Sequence, residues 1–166
     1  MKVFSTNLLD ELAAKAASSP RRRTHHNIHG SAADPVQRFF VVADRESYFR
    51  PHRHHAKSEL ALVLRGRFEV ITFDDDGRVT ARYAVAAGGP EFAYELPRMT
   101  WHTIVACTDG AAFLEVKEGP YDPASAVEFA PWGPPEGDPA VPAFLEWLRS
   151  AQPGDLSTTG PSDARG

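Results

Sequence analysis

Apolar residues near the start of the chain recur with the period of a helix. The positions that share this spacing are Leu8, Leu9, Leu12, Ala13 and Ala16. They would place one apolar stripe along a helix that ends before Pro20. Residues 21–35 are polar and follow neither a helical nor a strand period, so we expect an irregular loop there. Residues 1–35 are thus predicted to be a helix and a polar loop that pack on the rest of the chain.

From Val36 the pattern changes to short apolar and β-branched runs separated by turn residues. The runs are Val36–Ala43, Glu59–Leu64, Phe68–Phe73, Val79–Val85, Glu91–Leu96, His102–Cys107 and Ala111–Lys117. The pair Asp76-Gly77 between two of them is typical of a tight hairpin. Many short strands at regular spacing predict an all-β sandwich or closed barrel over residues 36–118.

The chain after residue 118 is rich in proline and glycine. Because prolines do not fit a central strand, we expect residues 119–150 to wrap the barrel and to include a short helix over Val141–Leu148. Residues 151–166 are small and polar, which predicts a disordered tail.

Composition narrows the classes of function. The 166 residues suit one domain, and the formal net charge of -4 argues against a binder of nucleic acid or of membrane surfaces. The single cysteine excludes an intramolecular disulfide framework and a cysteine-based zinc site. No apolar run approaches the roughly 20 residues that cross a bilayer, and the N-terminus lacks a secretory signal. These features predict a cytoplasmic location.

Histidine spacing supplies the strongest chemical signal. His52 and His54 flank one residue of an extended segment, so their side chains lie on the same face. Glu59 opens the next strand, and His102 begins a later strand that a barrel would bring alongside. Three imidazoles and one carboxylate suit a divalent transition metal such as Fe, Zn, Ni or Mn rather than Mg or Ca. We therefore predict one such ion per chain, held by His52, His54, Glu59 and His102.

The same residues carry a resemblance to a known superfamily. His52-x-His54, Glu59 and Gly66 resemble the first cupin motif, and Pro97 followed by His102 resembles the second. The residues that depart from the motifs are Glu46 and Met99, where glycine is usual, and Ala106, where asparagine is usual. None of these is a predicted ligand. In some cupins the glutamate is a base beside the metal, so Glu59 is either a direct ligand or such a base.

Several segments also resemble the WbuC family of cupin-fold metalloproteins, some of which are encoded among O-antigen polysaccharide biosynthesis genes. These segments are 34–38, 50–54, 64–66, 115–123 and 129–132. The resemblance implies a cupin double-stranded β-helix, or jelly-roll barrel, with an N-terminal helix and a short C-terminal helix. It also implies a bound metal. Cupins commonly pair through their sheets, and both faces of Leu60–Leu64 are apolar, so we expect a homodimer.

Other polar residues allow two interpretations each. Arg50 shares the predicted face of His52 and His54, and could bind an anionic substrate group or form a surface ion pair. Glu115 and Lys117 share one strand face, as a cavity acid–base pair or as a structural ion pair. The segment 21–29 allows three interpretations: a lid with polar groups over the metal, a contact for an anion, or a solvated loop.

These residues predict a metal-dependent enzyme that acts on a small polar substrate such as a sugar or sugar nucleotide. An isomerase or epimerase would fit, with Arg50 holding an anionic group and Glu59 or Glu115 moving a proton. The same ligands with iron would suit a dioxygenase. A non-catalytic small-ligand or metal-binding module and a purely structural metal are the other interpretations.

Overall fold

The computed structural model describes residues 1–124 and 126–157, and these residues form two helices and ten strands. The helices are α1 (Thr6–Ser18) and α2 (Val141–Ser150). The strands are β1 (Arg23–Asn27), β2 (Val36–Ala43), β3 (His52–Arg53), β4 (Glu59–Arg65), β5 (Arg67–Phe73), β6 (Val79–Ala86), β7 (Ala93–Leu96), β8 (Trp101–Ala106), β9 (Ala111–Glu118) and β10 (Glu128–Phe129). Among these residues, no helix is both long and apolar enough to cross a membrane.

Two five-stranded antiparallel sheets build the jelly-roll barrel predicted from the strand spacing. The first sheet has the order β1-β2-β9-β4-β7, and the second has the order β10-β3-β8-β5-β6. Alternation along each strand sends one set of apolar side chains into the space between the sheets. Phe68, Val70 and Phe113 lie in this core with Val63 and Ile104.

Each sheet is also covered on its outer face by one helix. Leu9, Leu12 and Ala16 of α1 pack with Val42 and other residues of the first sheet. On the second sheet, α2 contributes a second cluster whose buried members include Phe144, Leu145, Leu148, Ile71, Phe73 and Trp101. The strands under the helices are therefore apolar on both faces, which explains runs in the sequence that lack strict alternation.

The structure departs from the sequence-based expectation at both ends. Residues Arg23–Asn27, expected to be irregular, form β1 and pair with β2 along the edge of the first sheet. Gly154 and Asp155, within the predicted disordered tail, exchange backbone hydrogen bonds with Val79 of 2.8 and 2.9 Å. Residues 158–166 of the predicted tail lie outside the described residues.

Candidate metal centre

Four side chains from both sheets converge on one point. His52 on β3 is directly opposite His102 on β8, His54 follows β3, and Glu59 is the first residue of β4. One ligand atom from each lies within 4.8 Å of the others. His54, Glu59 and His102 are buried. The structure thus brings together the four residues that the sequence predicted as a set.

Backbone carbonyls fix the orientation of all three imidazoles. Each Nδ1 lies within hydrogen-bond distance of a main-chain oxygen. The pairs are His52 with Arg50 at 2.9 Å, His54 with Ala126 at 2.5 Å, and His102 with Thr100 at 2.9 Å. A carbonyl oxygen only accepts, so Nδ1 carries the proton in each ring and Nε2 keeps a lone pair. This is the arrangement that metal-binding histidines use.

The surroundings keep two of these rings uncharged. Burial, with the neighbouring His102, lowers the pKa of His52 to about 3. Burial likewise lowers the pKa of His102. Neutral imidazoles are the form that binds a metal ion, so both rings are ready to bind one at neutral pH.

Two features of the polar atoms fit the binding of a cation. The His102 Nε2 is buried and has no hydrogen-bond partner among the described residues. The His54 Nε2 faces the Glu59 Oε2 at 3.1 Å, although its ring proton is already on Nδ1. Two acceptors at that distance need a proton or a cation between them. One divalent ion would satisfy both residues at once, so the cluster could hold one metal ion.

Glu59 also belongs to a buried charge network with Lys117 and Glu115. Lys117 pairs with Glu59 across β4 and β9; its Nζ lies 3.5 Å from the Glu59 Oε2 and donates to Glu115. Burial, with the charge of Glu59, raises the pKa of Glu115 to about 8. Burial would raise the pKa of Glu59 as well, but its contact with the His54 ring and the charge of Lys117 outweigh burial and lower that pKa. The network therefore holds one ionised carboxylate, Glu59, beside the three imidazoles.

An inner cavity of about 270 Å³ gives access to the cluster. His52 and His54 line it, together with Arg50 and Lys117. Glu59, His102 and Glu115 are not part of its lining. Arg50 is one of the lining residues. Its guanidinium donates to the carbonyls of residues 130 and 133 at 3.1 and 3.0 Å and lies 5.0 Å from the centre of the Phe129 ring. Of the four predicted catalytic residues, Arg50 and Lys117 line the cavity, and Glu59 and Glu115 do not.

The sequence did not indicate Tyr94 or Glu136 near this site, and it indicated Arg23 only as part of the segment 21–29. The Tyr94 hydroxyl is buried without a hydrogen-bond partner in the part of the chain that the structure describes, and burial with the charges of Glu59 and Glu115 raises its pKa. Arg23 and Glu136 form an ion pair, and both line the cavity. Tyr94 lies within the predicted strand Glu91–Leu96, where an aromatic residue is common. Only the pairing of β7 with β4 shows that it lies near Glu59.

Sequence comparisons place part of this site within a described family model. A model described as a domain of unknown function, DUF6016, matches residues 4–85. The matched region contains His52, His54 and Glu59 and stops before His102. A comparison with curated protein sequences finds no match.

Solved structures show the fold to be that of the cupins. CapF bound to the inhibitor 3-isopropenyl-tropolone is 19% identical with a TM-score of 0.57, covering 68% of this chain and 32% of that one. CapF from Staphylococcus aureus, described as a capsular polysaccharide assembling protein, is 18% identical with a TM-score of 0.53, covering 67% of this chain and 32% of that one. Oxalate oxidase bound to the substrate analogue glycolate is 19% identical with a TM-score of 0.51, covering 80% of this chain and 68% of that one. The chain thus spans about a third of the length of CapF, and the likeness is one of fold.

Proposed function

We propose that this cupin is a metal-dependent enzyme that acts on a small polar substrate such as a sugar or sugar nucleotide, in an isomerase-like or epimerase-like reaction. The observation that carries the proposal is the convergence of three Nε2 lone pairs and one carboxylate beside an open cavity. A metal with only a structural role would be expected in a closed site, whereas a cavity next to the ligands leaves room for a substrate.

In this proposal His52, His54, Glu59 and His102 hold one divalent ion, which would supply Lewis-acid polarisation of a substrate oxygen. The chain's own residues do the rest. Lys117 is the proton carrier at the cavity wall, because it lines the cavity and its Nζ lies 3.5 Å from the Glu59 carboxylate. Glu115 contacts Lys117 from the buried side, so we propose that it positions Lys117 rather than touching the substrate.

Arg50 is proposed to orient an anionic substrate group. Its two hydrogen bonds to backbone carbonyls and its stacking on Phe129 hold the guanidinium in one place. A fixed guanidinium loses little entropy when it binds a carboxylate or phosphate. The cupin fold occurs in a protein described as assembling capsular polysaccharide and in an oxalate oxidase, so carbohydrate and oxidation chemistry both occur on it.

The first test is metal analysis of protein purified without a polyhistidine tag. We expect near-stoichiometric Fe, Zn, Ni or Mn in the wild type and none in the folded His52→Ala/His54→Ala variant. His55→Ala is the matched control, because His55 is adjacent but exposed and pairs with Glu128 instead. Circular dichroism verifies that each variant is folded.

Two outcomes would overturn the metal assignment. One is a wild type that contains no metal and takes none up on reconstitution. The other is a double variant that keeps the metal of the wild type. If iron is the ion found, turnover assays begin with dioxygen-dependent oxidation; if zinc or nickel is found, they begin with isomerisation of sugar phosphates and sugar nucleotides.

Membership of the WbuC family, a homodimer and a cytoplasmic location stay proposals from the sequence. For the dimer, the structure adds that Leu60 and Leu64 on the outer face of β4 are exposed in the single chain. A second copy packed there would bury them. Sedimentation equilibrium should show a dimer in the wild type and a monomer after Leu60→Lys.

A further inference from the structure

A larger cavity, of about 590 Å³, lies beside the first sheet. None of the four predicted metal ligands lines it. Its lining includes the permanent cations Arg21, Arg23 and Lys117, and two histidines, His25 and His29. Within the described chain, no aspartate or glutamate is part of that lining. A cavity lined with cations and lacking carboxylates attracts a negatively charged ligand.

This outer cavity adjoins the inner one, because the two share six lining residues. These are Arg21, Arg23, Gln37, Phe49, Lys117 and Tyr121. Lys117 is the link to the metal centre, because the same ammonium group lies 3.5 Å from the Glu59 carboxylate. A single extended ligand can therefore reach from the cluster to the outer cavity.

Strand β1 builds the wall that carries the basic residues. Because strand side chains alternate, Arg23 and Asn27 lie on one face of β1 with His25, and all three line the outer cavity. The intervening His26 instead stacks on Phe40, beside α1. Pairing of β1 with β2 thus gives the cavity a rigid polar edge where the sequence suggested a loop.

Arg23 is held in place before any ligand arrives. Its side chain is only 12% exposed, Nη1 donates to the Tyr48 carbonyl at 2.8 Å, and the guanidinium lies 4.7 Å from the centre of the Phe49 ring. A second guanidinium nitrogen, Nη2, donates to the Glu136 carboxylate. Arg21, which is 61% exposed, bonds the same carboxylate at 2.7 Å. Two guanidinium groups therefore share one carboxylate, and one positive charge is left in excess.

We propose that Arg21 and Arg23 bind an oxyanion of the substrate, a phosphate or a carboxylate, and that Glu136 occupies this position until the substrate displaces it. The substrate is then an extended anionic molecule whose reacting part lies at the His/Glu cluster and whose charged part lies against β1. This inference rests on the proposed function in that the same molecule must reach the metal centre. Planar guanidinium groups suit both oxyanions, since each offers paired N–H donors to two oxygens.

The test measures anion binding by isothermal titration calorimetry on protein stripped of metal with a chelator. Pyrophosphate and malonate are the two probes, and they distinguish a phosphate from a carboxylate as the preferred oxyanion. We expect at least one to bind, more weakly at high salt. Arg21→Gln should weaken that binding about tenfold, as loss of one charge-assisted hydrogen bond does. Glu136→Gln should strengthen it, because the internal competitor loses its charge.

Controls separate this role from a structural one. Arg45→Gln is the matched control, because Arg45 is 60% exposed and pairs with Asp109 outside both cavities. Arg23→Gln should abolish binding, but its buried contacts could unfold the chain, so Arg21→Gln and Glu136→Gln carry the decision.

The inference is overturned if neither probe binds the wild type, if Arg21→Gln binds as the wild type does, or if Glu136→Gln fails to bind more tightly. Metal uptake is measured separately on the same preparations. A chain that takes up metal but binds no anion would refute only this inference, whereas one that binds anions but no metal would refute only the metal centre.

Discussion

Met99 has a φ of 65°, in the left-handed region that costs an L-residue about 1–2 kcal/mol. It stands where the second cupin motif usually has glycine. Its N–H donates to the carbonyl of His54 at 2.7 Å, so the turn helps to position a predicted ligand. Replacement by glycine relieves the strain and keeps that hydrogen bond.

Comparison of Met99→Gly with Met99→Ala isolates the backbone effect, because both variants lose the same half-exposed side chain. Glycine costs about 0.4–1 kcal/mol through the entropy of the unfolded chain. Relief of about 1–2 kcal/mol of strain outweighs this cost, so glycine should be more stable than alanine by about 0.5–1 kcal/mol. For a chain of this size the difference corresponds to about 1–4 °C in Tm.

Urea denaturation followed by circular dichroism measures both free energies of unfolding, and differential scanning calorimetry gives the two Tm values. At an ordinary position alanine is the more stable of the two residues. Equal stabilities, or a more stable Met99→Ala, would refute the argument that the backbone is strained at this turn.

Three further changes test the packing and the charges. Gly66→Ala should lower the free energy of unfolding by at least about 1–2 kcal/mol. The φ of Gly66 is 70°, and the new Cβ would lie 2.2 Å from the Thr108 Oγ1. An unchanged midpoint in urea denaturation would contradict this. Leu148→Ala should cost about 2–5 kcal/mol, since this fully buried side chain joins α2 to the second sheet, and a loss below 1 kcal/mol would mean that the helix is not required there. Burial opposes ionisation of Glu136, but hydrogen bonds and charge from the two arginines prevail and lower its pKa below the ordinary 4.5. The ionised Glu136 carboxylate therefore stabilises the fold above pH 4.5, and this stabilisation is lost as the pH falls through the lower pKa of the folded chain. In acid, the Tm of the wild type should approach that of Glu136→Gln.

The barrel was predictable from the sequence because its signals are local. Seven predicted strands have counterparts in the structure, and β2 has the predicted bounds Val36–Ala43. The turn at Gly66 adopts the positive φ that glycine allows. Strand β1 was not predictable in this way, because its inward residues Arg23 and Asn27 are polar and line a cavity. Its conformation comes from pairing with β2, which is a non-local effect.

The candidate ligands could be chosen from the sequence because strand parity and motif spacing are also local. The groups that surround these ligands could not be predicted from the sequence. The His54 Nδ1 is held by the carbonyl of Ala126, 72 residues further along the chain. Glu136 reaches Arg23 across 113 residues, and Arg50 donates to the wrapping segment rather than to a carboxylate. These contacts depend on how the segment after β9 crosses the barrel, which no local pattern encodes.

The carbonyl contacts of the three imidazoles have a consequence for how freely this protein can evolve. His52 and His102 are each held by the main-chain oxygen of the residue two positions earlier, Arg50 and Thr100. A main-chain oxygen is present whatever side chain the residue carries. Substitutions at those two positions can therefore accumulate without changing which nitrogen of each ring keeps its lone pair. Natural variation can remodel the chemistry around the site, including its choice of substrate, while the orientation of these two imidazoles is inherited unchanged.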